Sequence, residues 1–207
     1  FAFPFIEPEK IGCGDEELTF EFNLKTYNNF NGEIQFELLE FPNQISYNIS
    51  PTSLNSSGTI GSITLNRNEL PYGTYNIILN GVHDNISEQE SFIVNFYPET
   101  VSPPNLLSPE NNLSDVNINQ NFEWSNVNYA NSYRFELSTV EDFSSLVKDE
   151  KTIENKISIS NLDQEETYYW RVSALNACGN SLPSNSRKFS TTTISCNSYT
   201  SDNIPVN

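Results

Sequence analysis

The sequence predicts an all-β chain built as two consecutive antiparallel sandwiches. Three observations carry this. Apolar residues recur at every second position in short runs, helical periodicity is almost absent, and an adjacent proline pair breaks the pattern near mid-chain. The 207 residues are enough for two domains of about 100 residues each.

Taken in order, Leu18, Phe20, Phe22 and Leu24 alternate with polar residues, and Ile34, Phe36 and Leu38 do the same. Tyr75, Ile77 and Leu79 follow the turn signal Pro71-Tyr72-Gly73, and Phe92, Val94 and Phe96 close the first half. Each run is bounded by Asn, Gly, Pro or Ser, the pattern of strands with one face buried and one in water. Glu99-Thr100-Val101-Ser102-Pro103-Pro104-Asn105 then interrupts it, because adjacent prolines lack ladder donors and favour an extended spacer. Beyond it, Leu106/Leu107, Phe122/Trp124, Tyr133/Phe135/Leu137, Ile157/Ile159, Tyr168/Trp170/Val172/Ala174 and Phe189 mark short strands. About seven such strands without helices is the number for one sandwich. The division expected is therefore 1–98, a linker at 99–105, 106–193, and a tail at 194–207.

Within the second half, Leu162 and Tyr168 flank Asp163-Gln164-Glu165-Glu166-Thr167 with the spacing of a tyrosine corner, in which a buried phenol bonds back to the chain just upstream. Trp124 and Trp170 complete the expected core, with Leu162 and Tyr168.

These residues carry a family resemblance. The run from Asn161 to Ala174 resembles the E–F corner of a fibronectin type III domain, Phe122-Glu123-Trp124 its B strand, and Ser132-Tyr133-Arg134-Phe135-Glu136-Leu137-Ser138 its C strand. Further, Ile11-Gly12-Cys13-Gly14-Asp15-Glu16-Glu17-Leu18-Thr19-Phe20, followed by Leu70-Pro71-Tyr72-Gly73-Thr74-Tyr75-Asn76-Ile77, looks like an immunoglobulin-like module of multidomain secreted bacterial metallopeptidases of the reprolysin-like kind. Asn176-Ala177-Cys178-Gly179-Asn180 resembles the end of their type III module, and Cys196 to Val206 the start of a P domain. The fold class expected is thus a tandem of immunoglobulin-like and fibronectin type III sandwiches. The resemblance implies a non-catalytic accessory or spacer role beside a peptidase domain, with export from the cell. The rival reading is a surface-binding module that meets glycan or protein through its sandwich loops.

Charge narrows the partners. The net charge is −17, and residues 1–98 carry 3 cationic against 13 acidic side chains, residues 99–207 7 against 14. Both halves repel phosphate backbones and anionic lipid, so neither nucleic acid nor membrane is expected as a partner. No run approaches the roughly 20 apolar residues of a membrane span, and no basic start leads into an apolar stretch. The start on Phe1 is what a processed piece of a longer protein would give, acting as a monomer beside neighbouring domains of its parent chain.

Chemistry is sparse. The single histidine, His83, cannot build a two-histidine zincin site and would have to serve any nucleophilic triad alone, beside Asp84 in a turn. Adjacent acids Asp149-Glu150 and Glu165-Glu166 read as solvated loops. Asp15, Glu16 and Glu17 are the nearest candidates for a calcium ion, the only cofactor considered, against the alternative of a charged edge that deters strand pairing. Tyr169, Tyr27, Phe30 and Tyr47 are candidate stacking platforms for sugar, and the eight glycines read as turn residues. Cys13, Cys178 and Cys196 match no metal or redox spacing. Cys178 and Cys196 are close enough to close a modest loop worth about 3 kcal/mol, leaving Cys13 unpaired or paired elsewhere.

Overall fold

The computed structural model describes residues 1–39 and 41–193. The described residues form two compact units, Phe1–Thr100 with Asn176–Gly179, and Val101–Leu175 with residues 180–193. The tail with Cys196, and the P-domain resemblance it carries, lies outside the described residues. Among the described residues the regular structure is all strand.

The first unit contains β1 (Glu9–Cys13), β2 (Leu18–Asn23), β3 (Ile34–Leu39), β4 (Ser46–Ser50), β5 (Ser53–Leu54), β6 (Ile60–Asn66), β7 (Gly73–His83) and β8 (Ile86–Tyr97). They form a five-stranded sheet β1-β8-β7-β3-β5 and a three-stranded sheet β2-β6-β4. Alternation sets the facing: in β2, Leu18, Phe20 and Phe22 are buried while the residues between them are not. The N-terminal segment first bridges β2 antiparallel at Ala2–Lys25 and Phe5–Phe22, then continues as β1 parallel to β8. It thereby lines both sheets, with Phe3 fully buried and Phe5 packed against Phe92.

Three glycines expected in turns sit instead inside strands, each directly opposite a phenylalanine: Gly12–Phe96, Gly61–Phe22 and Gly81–Phe36. The reason is space. A Cβ on Gly61 would lie 2.6 Å from Phe22 Cε2, one on Gly81 2.6 Å from Phe3 Cε1, and one on Gly12 2.8 Å from Phe96 Cδ1. Glycine in a strand here marks a close approach of ring to backbone.

The second unit contains β9 (Leu106–Ser108), β10 (Leu113–Val116), β11 (Gln120–Trp124), β12 (Ser132–Ser138), β13 (Leu146–Thr152), β14 (Lys156–Ile159), β15 (Thr167–Leu175) and β16 (Arg187–Thr191). The sheets are β14-β11-β9 and β10-β16-β15-β12-β13. The first strand again changes sheets, since β9 pairs antiparallel with β11 and β10 parallel with β16. Its core stacks Phe122, Trp124, Phe135, Trp170 and Phe189 between the layers, all at 0–1 % exposure.

Before β16, where Pro183 cannot donate to a ladder, two serines take over. Ser181 N–H donates to Ala174 O and Ser184 N–H to Val172 O, while their hydroxyls accept from Ala174 N–H and Val172 N–H at 2.8 and 3.1 Å. The edge of β15 is thereby satisfied on both polar groups without a regular partner strand.

Candidate functional site

The four expected core residues are buried, Trp124 and Trp170 at 0 %, Tyr168 at 1 % and Leu162 at 6 %. Tyr168 is a tyrosine corner, its phenol oxygen accepting the Asp163 N–H at 2.9 Å. Burial pushes the phenol's pKa above its ordinary 10.0, because the ionised form would lose its water. Thr191 braces the same turn, its hydroxyl donating to Asp163 O and accepting from Glu166 N–H. Glu165 accepts from the Thr193 hydroxyl.

The expected Cys178–Cys196 bridge is corrected. Cys178 is bonded to Cys13, with Cα atoms 5.5 Å apart, and a cysteine makes one disulfide only. Sequence proximity misled, because Asn176–Gly179 belongs to the first unit. Asn176 shapes that segment: its Oδ1 accepts from Cys178 N–H and Gly179 N–H, and its Nδ2 donates to Pro98 O. The bridge covalently closes a stretch of chain of sequence separation 165.

The remaining chemical candidates are committed to structure. His83 Nδ1–H donates to Glu33 O at 2.8 Å, its ring edge meets Phe30, and Asp84 Oδ2 is 3.5 Å from its Nε2. Phe30 is thus a packing residue of the first unit and not a free platform. Asp15 pairs with Arg67, which also donates to Gly14 O and lies over Tyr72, and Glu16 accepts from Cys13 N–H. The calcium candidate Asp15–Glu17 is therefore already neutralised in part by a guanidinium. Among the described residues no three His, Cys, Asp or Glu side chains are grouped to hold a metal.

Asp149 and Glu150 lie in β13 and not in a loop. Asp149 accepts two 2.7 Å bonds from Arg134, which hold its carboxyl below the usual range and raise the guanidinium's own pKa. The same sheet face carries Glu136, 3 % exposed, gripped by Arg171 at 2.8 and 3.1 Å, with Arg171 stacked 4.0 Å over Phe143. The result is a ladder Phe143–Arg171–Glu136–Arg134–Asp149 that pairs a buried carboxylate on two sides. One partner alone would leave it costly to bury.

The second unit also carries surface concavities. A cleft of about 440 Å³ is lined by Pro104, Asn105, Leu106, Asn111 and Ser184–Arg187. A second of about 130 Å³ is lined by Asn111, Asn112, Glu141, Tyr169 and Ser186–Lys188. The two share Asn111, Ser186 and Arg187. Sequence reading singled out Tyr169 but missed its neighbours, because singly scattered Asn and Ser look like turn residues until the fold gathers them.

No family model matches the chain, and no curated protein matches it. Among solved structures, domains A168–A170 of titin match with a TM-score of 0.55 at 16 % identity, covering 88 % of this chain and 61 % of that one. The chain thus spans about three-fifths of the titin fragment. Chicken CNTN1 FN1-FN3 domains match at 0.41 and 15 % identity, covering 93 % and 66 %. A Fn3-like protein from Clostridium thermocellum matches at 0.36 and 16 %, covering 46 % and 97 %. The titin likeness, with the sheet orders above, shows the fold: tandem sandwiches of the fibronectin type III and immunoglobulin-like class. The disulfide fits an extracellular protein.

Proposed function

We propose that the chain is the non-catalytic accessory segment of a secreted multidomain protein, and that its parent is a bacterial zinc metallopeptidase. The observation that supports the reading is the pairing of two motifs. The segments Ile11 to Phe20 and Asn176-Ala177-Cys178-Gly179-Asn180 resemble, in that order, modules of such peptidases, and Cys13 of the first is bonded to Cys178 of the second. A structural disulfide of this kind persists in an oxidising compartment, which agrees with export. The partners in this reading are the neighbouring domains of the parent chain, which the two sandwiches space or buttress.

The coding sequence upstream tests the parent's identity. A helix-forming H-E-x-x-H segment is expected there, since two histidines one turn apart with a glutamate between them build the zinc site. Its absence would reject the peptidase and leave the spacer role standing. Deleting residues 1–193 from the parent tests the spacer role. The secreted yield or hydrolysis of large protein substrates should fall, with hydrolysis of short peptides kept, and an unchanged protein would reject it.

A further inference from the structure

We infer that the cleft lined by Arg187 in the second unit holds a peptide segment by a carboxylate, which the Nε–Nη2 edge of Arg187 grips. This goes beyond the spacer role, and the two readings fail separately.

Arginine serves in this chain as a fork for carboxylates. Arg134 donates from Nε and Nη2 to the two oxygens of Asp149, both at 2.7 Å. Arg171 donates from the same two atoms to Glu136 at 2.8 and 3.1 Å. Arg67 pairs with Asp15. Arg187 is the exception. Its Nη1 donates to Leu107 O and Pro109 O, both at 2.9 Å, which commits that nitrogen to the fold. Among the described residues no carboxylate pairs with Arg187, and its Nε and Nη2 have no hydrogen-bond partner. Neither atom is sealed from solvent. The edge that Arg134 and Arg171 close on an acid is therefore complete in Arg187 and open to water. That edge takes a carboxylate through two parallel bonds. Two backbone carbonyls already hold the guanidinium, so it loses little freedom on binding.

The surroundings select the carrier of the carboxylate. The cleft holds about 440 Å³, within the roughly 300–1,000 Å³ of ordinary ligand sites. Arg187 is its one charged lining residue, and no Asp or Glu lines it. The other polar lining is Asn105, Asn111, Ser184, Asn185 and Ser186. Amides and hydroxyls both donate and accept, as the peptide group does. A single carboxylate on a peptide meets the local positive charge, whereas a polyanion meets the −17 of the whole chain.

The test titrates the intact 207-residue chain, isotope-labelled for NMR, and follows the arginine Nε–H signals. Three acetylated tetrapeptides serve as probes: tetra-alanine with a free carboxyl end, amidated Ala-Asp-Ala-Ala, and amidated tetra-alanine as the uncharged control. Inorganic phosphate is the fourth probe. At least one carboxylate peptide should move the Arg187 Nε–H signal saturably, and which one does so tells a chain end from a side chain. Arg134 and Arg171, already bonded to acids, should not respond. Ser186→Asp sets a carboxylate at an exposed position of the lining, leaves the Arg187 carbonyl bonds alone, and should weaken binding about tenfold or more. Arg187→Lys keeps the charge without the fork and should do the same, with the backbone spectrum and melting temperature checking the fold. No Arg187 response to either carboxylate peptide at millimolar concentration overturns the inference. So does equal binding of the amidated tetra-alanine, a response to phosphate alone, or binding that survives Ser186→Asp.

Discussion

The two units solve one packing problem in opposite ways. Each begins with a strand that crosses from the small sheet to pair parallel with the last strand, yet their cores share little chemistry. All eight glycines belong to the first unit, as residues 12–81 and Gly179, and both tryptophans to the second. The first core is a raft of phenyl rings, Phe3, Phe20, Phe22, Phe36, Phe92 and Phe96. Phenyl carries no polar atom, so it can be buried without a partner, but this many rings need the facing Cβ removed at three strand positions. The second core fills the same space with two indoles and needs no glycine: Tyr133 faces Ala174, Phe135 faces Val172 and Trp170 faces Leu137. Its cost is polar, since neither Trp124 Nε1 nor Trp170 Nε1 has a hydrogen-bond partner among the described residues. Its turns also bend without glycine, with Asn112, Tyr129, Phe143, Asn161 and Glu165 at positive φ. Ring count and facing-residue size trade against each other within one architecture.

The sharpest way to break the comparison is to remove an indole. Trp124→Ala or Trp170→Ala should cost the second unit about 3–5 kcal/mol, because each fully buried side chain leaves a cavity. In calorimetry the transition of the first unit should stay where it was. A joint collapse would make the chain one cooperative body and void the contrast. Next in size is the disulfide. The Cys13→Ser, Cys178→Ser pair should cost about 2–5 kcal/mol, and the loss should fall on the first unit. The pairing itself is checked by inserting a protease site after Thr100. Cut chain should run as one band without reductant and as two with it.

Much of this was legible in sequence. The alternation of Leu18 to Leu24 and of Tyr168 to Ala174 marks strands because one face is buried and the other wet, and the corner at Leu162–Tyr168 follows from spacing alone. What escaped has physical causes. β13 and β10 are exposed edge strands, with Leu113, Leu146 and Val147 open to solvent, so burial imposes no alternation on them. Pairing of Cys178 with Cys13 depends on four residues that leave the order of the chain, which spacing cannot encode. The concavity beside Tyr169 gathers Asn111, Ser186 and Arg187 from separate segments. None of them is unusual where it stands in sequence.

The glycine slots give the third test. Gly61→Ala should destabilise the first unit by about 1–3 kcal/mol, since Phe22 is fully buried and cannot swing away from a new methyl. A partner change sharpens the argument: Phe22→Leu in the same chain should recover part of that loss, because a smaller side chain yields room. If Gly61→Ala is neutral on thermal denaturation, the cross-strand glycines are incidental and the contrast with the second core fails.

The smallest effect is carried by one phenol and is read best through pH. Tyr168→Phe removes the acceptor for the Asp163 N–H and should cost the second unit about 1 kcal/mol at neutral pH. The sign at high pH follows from the direction of its shift. Burial favours the neutral phenol in the folded state, so its folded pKa lies above the unfolded value of 10.0. The unfolded chain then releases its proton first, and the stability contributed by Tyr168 is full below pH 10.0 and declines as pH rises through the folded value. Tyr168→Phe should therefore close its gap to the parent chain in alkaline melts, and the two curves should converge above that pH. Parallel curves across the range would mean that the phenol titrates alike in both states, and that the corner is held by packing of the ring against Phe189 rather than by its hydroxyl.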